Sequence, residues 1–175
     1  MTLASIILAA GQGTRMHSKL PKVAHKIAGK PMIWHALQAV AALVEQPPVI
    51  VVGYGAEDVK KSLQEDVVFA LQEEQLGTGH AVACVRDLLK AKSEVVLVTF
   101  GDMPLLRKES IEKLIRLHQG SNSPVTMTSF IGDEARGFGR VLRNQAGHVI
   151  GIVEQVDATP EQLAIREYNV SAYCF

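Results

Sequence analysis

The 175-residue sequence predicts an α/β protein, a mostly parallel sheet between layers of helices with additional β elements in its C-terminal part. Three observations carry that expectation. Short, largely apolar runs at 6–9, 49–52, 67–71 and 95–100 have the length and composition of strands buried on both faces. Segments of helical character separate them, giving β-α-β-α-β-α-β-α order with short connections. Past Gly120 the alternation gives way to β-like runs punctuated by glycine turns.

The first run breaks at once into Gly11-Gln12-Gly13-Thr14-Arg15. Glycines there permit φ > 0 and let backbone N–H groups converge on a ligand. Arg15 adds a planar guanidinium suited to bidentate phosphate binding. The loop reads either as a tight turn after an edge strand or as a phosphate cradle. It is not a dinucleotide fingerprint, because Met16 stands where a third glycine belongs, and not a P-loop, because Gly13 is followed by Thr14-Arg15. A basic block follows: Arg15, Lys19, Lys22, Lys26 and Lys30 precede the first acidic residue, Glu45. Such a cluster focuses field on an anion, or forms a solvated basic surface.

Pro31 sits where a first helical residue would, and Ile33, Leu37, Val40 and Val44 form one helical stripe that Pro47-Pro48 stops. The strand at 49–52 turns at Gly53 and Gly55 into a short helix over 56–63, with Val59 and Leu63 on one face. After the strand at 67–71 comes a polar loop, 72–80, in which Thr78 is the expected N-cap of a helix reaching Lys90. The strand at 95–100 ends in Gly101-Asp102-Met103-Pro104, and a helix over 108–118 closes at Gly120. Strands are then expected over 125–131, from 137–141 and over 148–153, the last after a hairpin turn at Ala146-Gly147. The polar stretch 156–164 carries a short helix, and 168–175 is again β-like. The chain stops in mid-pattern, so residues 1–175 are expected to be one domain truncated at its C-terminus.

Composition excludes several classes. With 18 basic and 18 acidic residues the chain lacks the basic excess of a general nucleic-acid binder. Cys84 and Cys174 are too few for a disulfide framework and suit free thiols in a reducing cytosol. The apolar opening lacks a basic n-region, and no run approaches the ~20 apolar residues of a membrane span. A cytoplasmic protein without membrane partners is expected.

In an open parallel sheet, ligands bind outside the carboxyl ends of strands where strand order reverses. With the common order 3-2-1-4 for the four apolar runs, the first and fourth are neighbours. The Gly-rich loop would then face Asp102, ninety residues away in sequence. Asp102 alone reads as an Asx turn or a cap; beside a phosphate loop it is a natural Mg²⁺ ligand. No histidine has metal-ligand spacing, and His25, His35 and His80 read as structural or surface residues. Nothing suggests a Ser-His-Asp arrangement.

With Leu8-Ala9-Ala10-Gly11-Gln12-Gly13-Thr14-Arg15-Met16 joined to Leu20-Pro21-Lys22-Val23, the chain resembles the sugar-1-phosphate nucleotidyltransferases. Gly29-Lys30-Pro31-Met32, Gln75-Leu76-Gly77-Thr78-Gly79-His80-Ala81, Gly101-Asp102-Met103-Pro104-Leu105-Leu106, and Gly151-Ile152-Val153-Glu154 with Asp157-Ala158-Thr159 narrow the likeness. Together they resemble the uridylyltransferase domain of bifunctional N-acetylglucosamine-1-phosphate uridylyltransferases. The Leu-Ala-Ala-Gly loop is shared by the superfamily; the Gln-Leu-Gly-Thr-Gly-His motif is much sharper.

The resemblance implies a Rossmann-like, three-layer nucleotidyltransferase (GT-A-like) domain that makes UDP-N-acetylglucosamine and pyrophosphate for peptidoglycan and amino-sugar precursor synthesis. Its partners would be UTP and N-acetylglucosamine-1-phosphate, its cofactor Mg²⁺, and oligomers would form through a C-terminal domain. Nucleotide contacts would fall on Leu8, Ala9, Ala10, Gly11, Gly13, Gln72, Gly77, Thr78, Phe100 and Gly101. Arg15 and Lys22 would be the catalytic phosphate-binding side chains, Asp102 the catalytic Mg²⁺ ligand, and Gly139, Glu154 and Asn169 the sugar contacts. The Gln72 amide can both donate to and accept from a uracil edge. Phe100 replaces a more usual Tyr, and Asn169-Val170-Ser171 replaces Asn-Thr/Ser-Gly. The family's second Mg²⁺ ligand, a late Asn, and its hexapeptide-repeat acetyltransferase domain have no counterpart in these residues. Two other readings stay open: a cytidylyl- or guanylyltransferase of the same fold, and a nucleotide-binding module without turnover. Neither the Gly-rich loop, 11–15, nor the loop at 101–104 holds a His or Glu poised as general base, which an acceptor whose attacking oxygen is already a phosphate would not need.

Overall fold

Leu3–Ala9 forms β1, buried on both faces as an apolar run without alternation requires. The structure, a computed structural model, describes residues 2–13, 16–90, 92–134 and 137–175. It comprises two units, one of Met1–Thr126 with Tyr173–Phe175 and one of Met127–Ala172.

In the first unit a ribbon of β2 (Lys26–Ile27) and β3 (Lys30–Pro31) precedes α1 (Met32–Ala41). Then follow β4 (Val49–Val52), α2 (Ala56–Ser62), β5 (Val68–Leu71), α3 (Thr78–Ala83), α4 (Arg86–Leu89), β6 (Val95–Phe100) and α5 (Lys108–Gln119). The parallel part of the eight-stranded main sheet runs β5-β4-β1-β6, which is the expected 3-2-1-4 order of the apolar runs. Ile6, Leu8, Val49, Val51 and Val98 face Ala81 and Val85 in one core cluster. The alternate positions Ile7, Ile50, Val52 and Leu97 are buried on the opposite face. There α1, through Ile33, Leu37 and Val40, packs on β1 and β6 with α5 beside it. Deleting a side chain such as Leu37 from this layer would cost about 2–5 kcal/mol.

Four local expectations are corrected. Pro31 is not the first helical residue: it pairs with Lys26 in the ribbon, keeps extended backbone at ψ 146°, and so becomes the N-cap of α1. That helix ends at Ala41, which leaves Val44 outside it. The helix expected from Thr78 to Lys90 divides, because Val85 leaves helical geometry at φ −100°, ψ 2°. Its N-cap is Gly77, and Thr78 is the first helical residue.

The second unit contains β7 (Thr126–Ile131, entering from the first), β8 (Arg140–Arg143), β9 (Val149–Val153), α6 (Pro160–Leu163) and most of β10 (Glu167–Cys174). β8 and β9 are antiparallel. In their turn Asn144 Oδ1 accepts from the backbone N–H groups of Ala146 and His148. α6 starts in a capping box between Thr159 and Gln162. The last residues of β10 pair antiparallel with β6 in the first unit, Tyr173 beside Val98 and Cys174 beside Leu97. Cys84 and Cys174 are free thiols. No helix among the described residues is long and apolar enough to cross a membrane.

Candidate active site

Parallel pairing aligns Leu8 with Phe100, so the chains leaving β1 and β6 start side by side, and the Gly101 N–H donates to the Leu8 carbonyl at 2.9 Å. Beyond these strand ends lies a cavity of about 330 Å³. It collects Leu8, Ala9, Ala10, Gly11 and Gly13 from the first loop, Lys22, Gln72, Gly77 and Thr78 from the middle of the chain, and Phe100 and Asp102 from the β6 end. Arg15 lies outside the described residues. Gly101 does not line the cavity: a Cβ there would stand 3.2 Å from Val23 and Ile33 side-chain carbons, so this glycine permits packing on the helical side. A second cavity of about 300 Å³, beside Leu3 at the other end of β1, gathers none of the predicted residues.

Two glycines place Lys22. Gly13 adopts φ +66°, and a Cβ on it would lie 2.6 Å from Lys22 Cβ. Gly55 adopts φ +61°, and its Cβ would lie 2.3 Å from Pro21 Cγ. Pro21 and Lys22 therefore each pack at their side-chain root against a loop that only glycine lets approach. Lys22 then starts a 3₁₀ turn, Lys22–Ala24, anchored by buried Val23 and Ala24. Its Nζ donates to Asp102 Oδ2 at 2.7 Å, with both side chains little more than a third exposed. A cation and a carboxylate thus stand together in the cavity wall, accessible to a ligand.

Gln72 is buried at 3% exposure, and its backbone N–H donates to the Val52 carbonyl at 2.7 Å. Its amide nitrogen donates to the Gly77 carbonyl at 3.1 Å and contacts His80 Nδ1 at 3.0 Å. Both amide hydrogens have partners within the protein. What Gln72 offers a ligand is its oxygen, not the donor-and-acceptor pair expected from its residue type. His80 is accordingly neither a simple surface residue nor remote from the site.

The sequence reasoning missed Val23, Gln75 and Ala81 as lining residues. Val23 and Ala81 carry no chemical signal, whereas Gln75 lies inside the Gln-Leu-Gly-Thr-Gly-His motif and could have been found there. Among the described residues no three His, Cys, Asp or Glu side chains converge on a metal position. A cation at Asp102 would have one protein carboxylate, which is how Mg²⁺ is commonly held when phosphates supply further oxygens. The donor set fits Mg²⁺ on that condition.

Gly139, Glu154 and Asn169 come together in the second unit. A Cβ on Gly139 would meet Glu154 Oε1 at 3.1 Å, and the Asn169 N–H donates to the Gly139 carbonyl at 2.9 Å. Asn169 Oδ1 accepts from the Ser171 N–H at 3.0 Å, and Ser171 takes the left-handed φ of +64°. Glycine is the residue that meets this demand without strain, and it is what the resembled pattern has there.

The "Bifunctional protein GlmU" of Brevibacillus brevis is 44% identical over 171 residues, covering 98% of this chain and 37% of that protein. The protein of the same name from Syntrophotalea carbinolica is 49% identical over 174 residues, covering 99% and 37%. The chain thus spans little more than a third of the length of these relatives. Among solved structures, a CMP:2-keto-3-deoxy-manno-octonic acid synthetase complexed with CTP superposes with TM-score 0.72 at 19% identity, covering 100% of this chain and 74% of that one. A 4-diphosphocytidyl-2C-methyl-D-erythritol synthase from Anaerococcus prevotii gives 0.65 at 17%, covering 99% and 69%. These two likenesses concern the fold alone. Residues 5–161 match the MobA-like NTP transferase domain, and the chain belongs to that family.

Proposed function

We propose that this nucleotidyltransferase domain transfers a uridylyl group from UTP to N-acetylglucosamine-1-phosphate, releasing pyrophosphate, as a cytoplasmic step of amino-sugar and cell-wall precursor synthesis. The observation that carries the reading is the cavity at the β1 and β6 ends, where the Gly-rich loop, Lys22, Asp102 and Gln72 meet. The motifs of the sequence and the relatives named GlmU support the choice of substrates.

Each residue has a task that its chemistry suits. The Ala10-Gly11 and Gly13 backbone forms the floor under the nucleotide, and Gly77 and Thr78 form its edge. The Gln72 oxygen accepts from the base. Lys22, a point charge on a stem fixed by Gly13 and Pro21, exchanges Asp102 for phosphate oxygens. Each such contact is worth roughly 4 kcal/mol of Coulomb energy at an effective ε of 20, before desolvation is subtracted. Arg15 supplies a further cation to the departing pyrophosphate. Asp102 would hold Mg²⁺, which when bound neutralises charge on the phosphates. Gly139, Glu154 and Asn169 take the amino sugar.

No residue of this chain is assigned as general base. The acceptor's phosphate, with a second pKa of about 6 by analogy with phosphorylated side chains, already presents an anionic oxygen. The residues therefore position and neutralise, and the reaction is one in-line displacement at the α-phosphorus. The deciding assay is Mg²⁺-dependent pyrophosphate release by the chain, with UTP, CTP and GTP against several sugar phosphates. UTP with N-acetylglucosamine-1-phosphate should lead. Faster turnover with CTP or GTP, or tight UTP binding without pyrophosphate release, would replace this reading. Stereochemistry tests the mechanism separately: an α-thio UTP should react with inversion, and net retention would establish a covalent uridylyl-enzyme instead.

A further inference from the structure

The contact between Gln72 and His80 is left unused by the function proposed above. Gln72 Nε2 faces two groups, the Gly77 carbonyl at 3.1 Å and His80 Nδ1 at 3.0 Å. A backbone carbonyl can only accept, so the atom facing it is the amide nitrogen and the carboxamide has one orientation. The second amide hydrogen then points at His80, whose Nδ1 must accept it, which places the ring proton on Nε2. His80 sits on the first turn of α3, and the neighbouring Ala81 and Val85 are buried against Ile6, Leu8 and Val98. The acceptor is thus mounted on an element fixed to the sheet. Gln72 itself is 3% exposed and lines the cavity, so the polar atom left for a ligand is its oxygen.

We propose that His80 is a positioning residue for base selection: by accepting from the Gln72 amide it holds the Gln72 oxygen as the group offered to the base. The inference rests on the reading that Gln72 meets the base. A fixed acceptor suits a nucleobase with a ring N–H donor, as in uracil. Cytosine carries a lone pair at the equivalent ring nitrogen, and two acceptors would face each other. Without the imidazole, one hydrogen of the Gln72 amide loses its partner. The carboxamide is then freer to rotate and can present its NH₂ group to cytosine.

The experiment is calorimetric binding of UTP and of CTP, each with Mg²⁺, to the unmodified chain and to His80→Leu, His80→Asn and Gln72→Ala. The unmodified chain should prefer UTP by about ten-fold or more, the scale of one buried hydrogen bond replaced by an unsatisfied pair. His80→Leu should move the two affinities in opposite directions, UTP weaker and CTP stronger, so that the preference falls at least about five-fold. His80→Asn can place an amide oxygen near the Nδ1 position and should restore the preference. Equal weakening of both nucleotides in His80→Leu, with the preference abolished in Gln72→Ala, would overturn the role of His80 and leave the base contact standing. An unchanged preference in Gln72→Ala, or no preference in the unmodified chain, would overturn the base contact and this inference with it. A second measurement needs no variant: in ¹⁵N-labelled chain the N–H···N bond should show scalar coupling between Gln72 Nε2 and His80 Nδ1. Its absence in the folded chain would overturn the inference even if His80→Leu failed to fold.

Discussion

Replacing Asp102 by asparagine separates what the Lys22–Asp102 pair contributes to the fold from what it contributes to the reaction. The two charges stand 2.7 Å apart, but the side chains are 39% and 35% exposed. At that separation bulk water leaves about 1.5 kcal/mol of Coulomb energy, and measured exposed pairs retain roughly 0.2–1 kcal/mol after ordering costs and salt screening. Asp102→Asn keeps the shape and removes the charge, so the stability loss should stay within about 1 kcal/mol, or about 2–4 °C of melting temperature for a domain of this size. Pyrophosphate release should fall far more, by about 10³-fold, because the carboxylate proposed to hold Mg²⁺ is gone; that ratio corresponds to about 4 kcal/mol of barrier. Lys22→Met and the double variant complete a cycle. The small coupling measured by melting without ligand should vanish when Mg²⁺ and UTP are present, since Lys22 is then committed to phosphate. Turnover of Asp102→Asn within ten-fold of normal would refute the assignment. A melting temperature lowered by more than about 10 °C would show that the pair is structural after all.

Three further outcomes are expected. Gly13→Ala must adopt φ +66° with a Cβ 2.6 Å from Lys22 Cβ, so urea unfolding should show a loss of at least about 2 kcal/mol; unchanged stability would mean that the loop moves freely. Ser171→Gly relieves a left-handed serine at φ +64° and should gain about 0.5–1 kcal/mol in the same measurement, whereas a loss would show that the Ser171 hydroxyl matters more than the strain. Bidentate hydrogen bonding from Arg143, helped by Ser129, lowers the Glu167 carboxyl to about 2. Because the folded value is depressed from 4.5, this stabilisation is complete above about pH 4.5 and disappears as pH falls toward 2. With Arg143 43% exposed it amounts to about 1 kcal/mol, and Glu167→Gln should flatten the stability–pH curve across that window; an unaltered curve would count against the pair.

The doubly buried strands were the most legible part of the fold. β4 and β6 fall at 49–52 and 95–100 because strands covered on both faces need no alternation to be recognised, and their length separates them from helices. The strand order followed from the commonest winding, and with it the approach of Asp102 to the Gly-rich loop. Local signals failed where tertiary pairing decides the backbone. Pro31 looks like a helix starter, yet two ribbon pairs hold it extended. The division between α3 and α4 has no glycine or proline to announce it, since both elements are defined by how Ala81 and Val85 meet the sheet. At the site, Lys22, Asp102 and Gln72 were legible because their chemistry is specific, whereas Gln75 was passed over although it carries an amide inside a sharp motif. Val23 and Ala81 were not, because an apolar wall reads like any other core. His80 lacked metal-ligand spacing, and its bond to Gln72 appears only when the loop of 72–77 folds back on itself.

That fold-back has a counterpart at Lys22, and the two together show how this site reaches precision with flexible side chains. A free lysine samples many rotamers, and ordering it costs up to about 2 kcal/mol, which weakens any phosphate contact it makes. The stem can be confined before the ligand arrives if its root is packed against neighbouring backbone. Gly13 closes on Lys22 Cβ and Gly55 on Pro21 Cγ, following β1 and β4, neighbours in the parallel part of the sheet. Asp102, following the next strand, β6, then gives the ammonium a resting position. Gln72 is confined by a different route, with its backbone bonded to Val52 and its amide to Gly77 and His80. The cation and the buried amide thus depend on four neighbouring strand ends in the parallel part of the sheet. A change in how those strands pair would displace Lys22, Asp102 and Gln72 together.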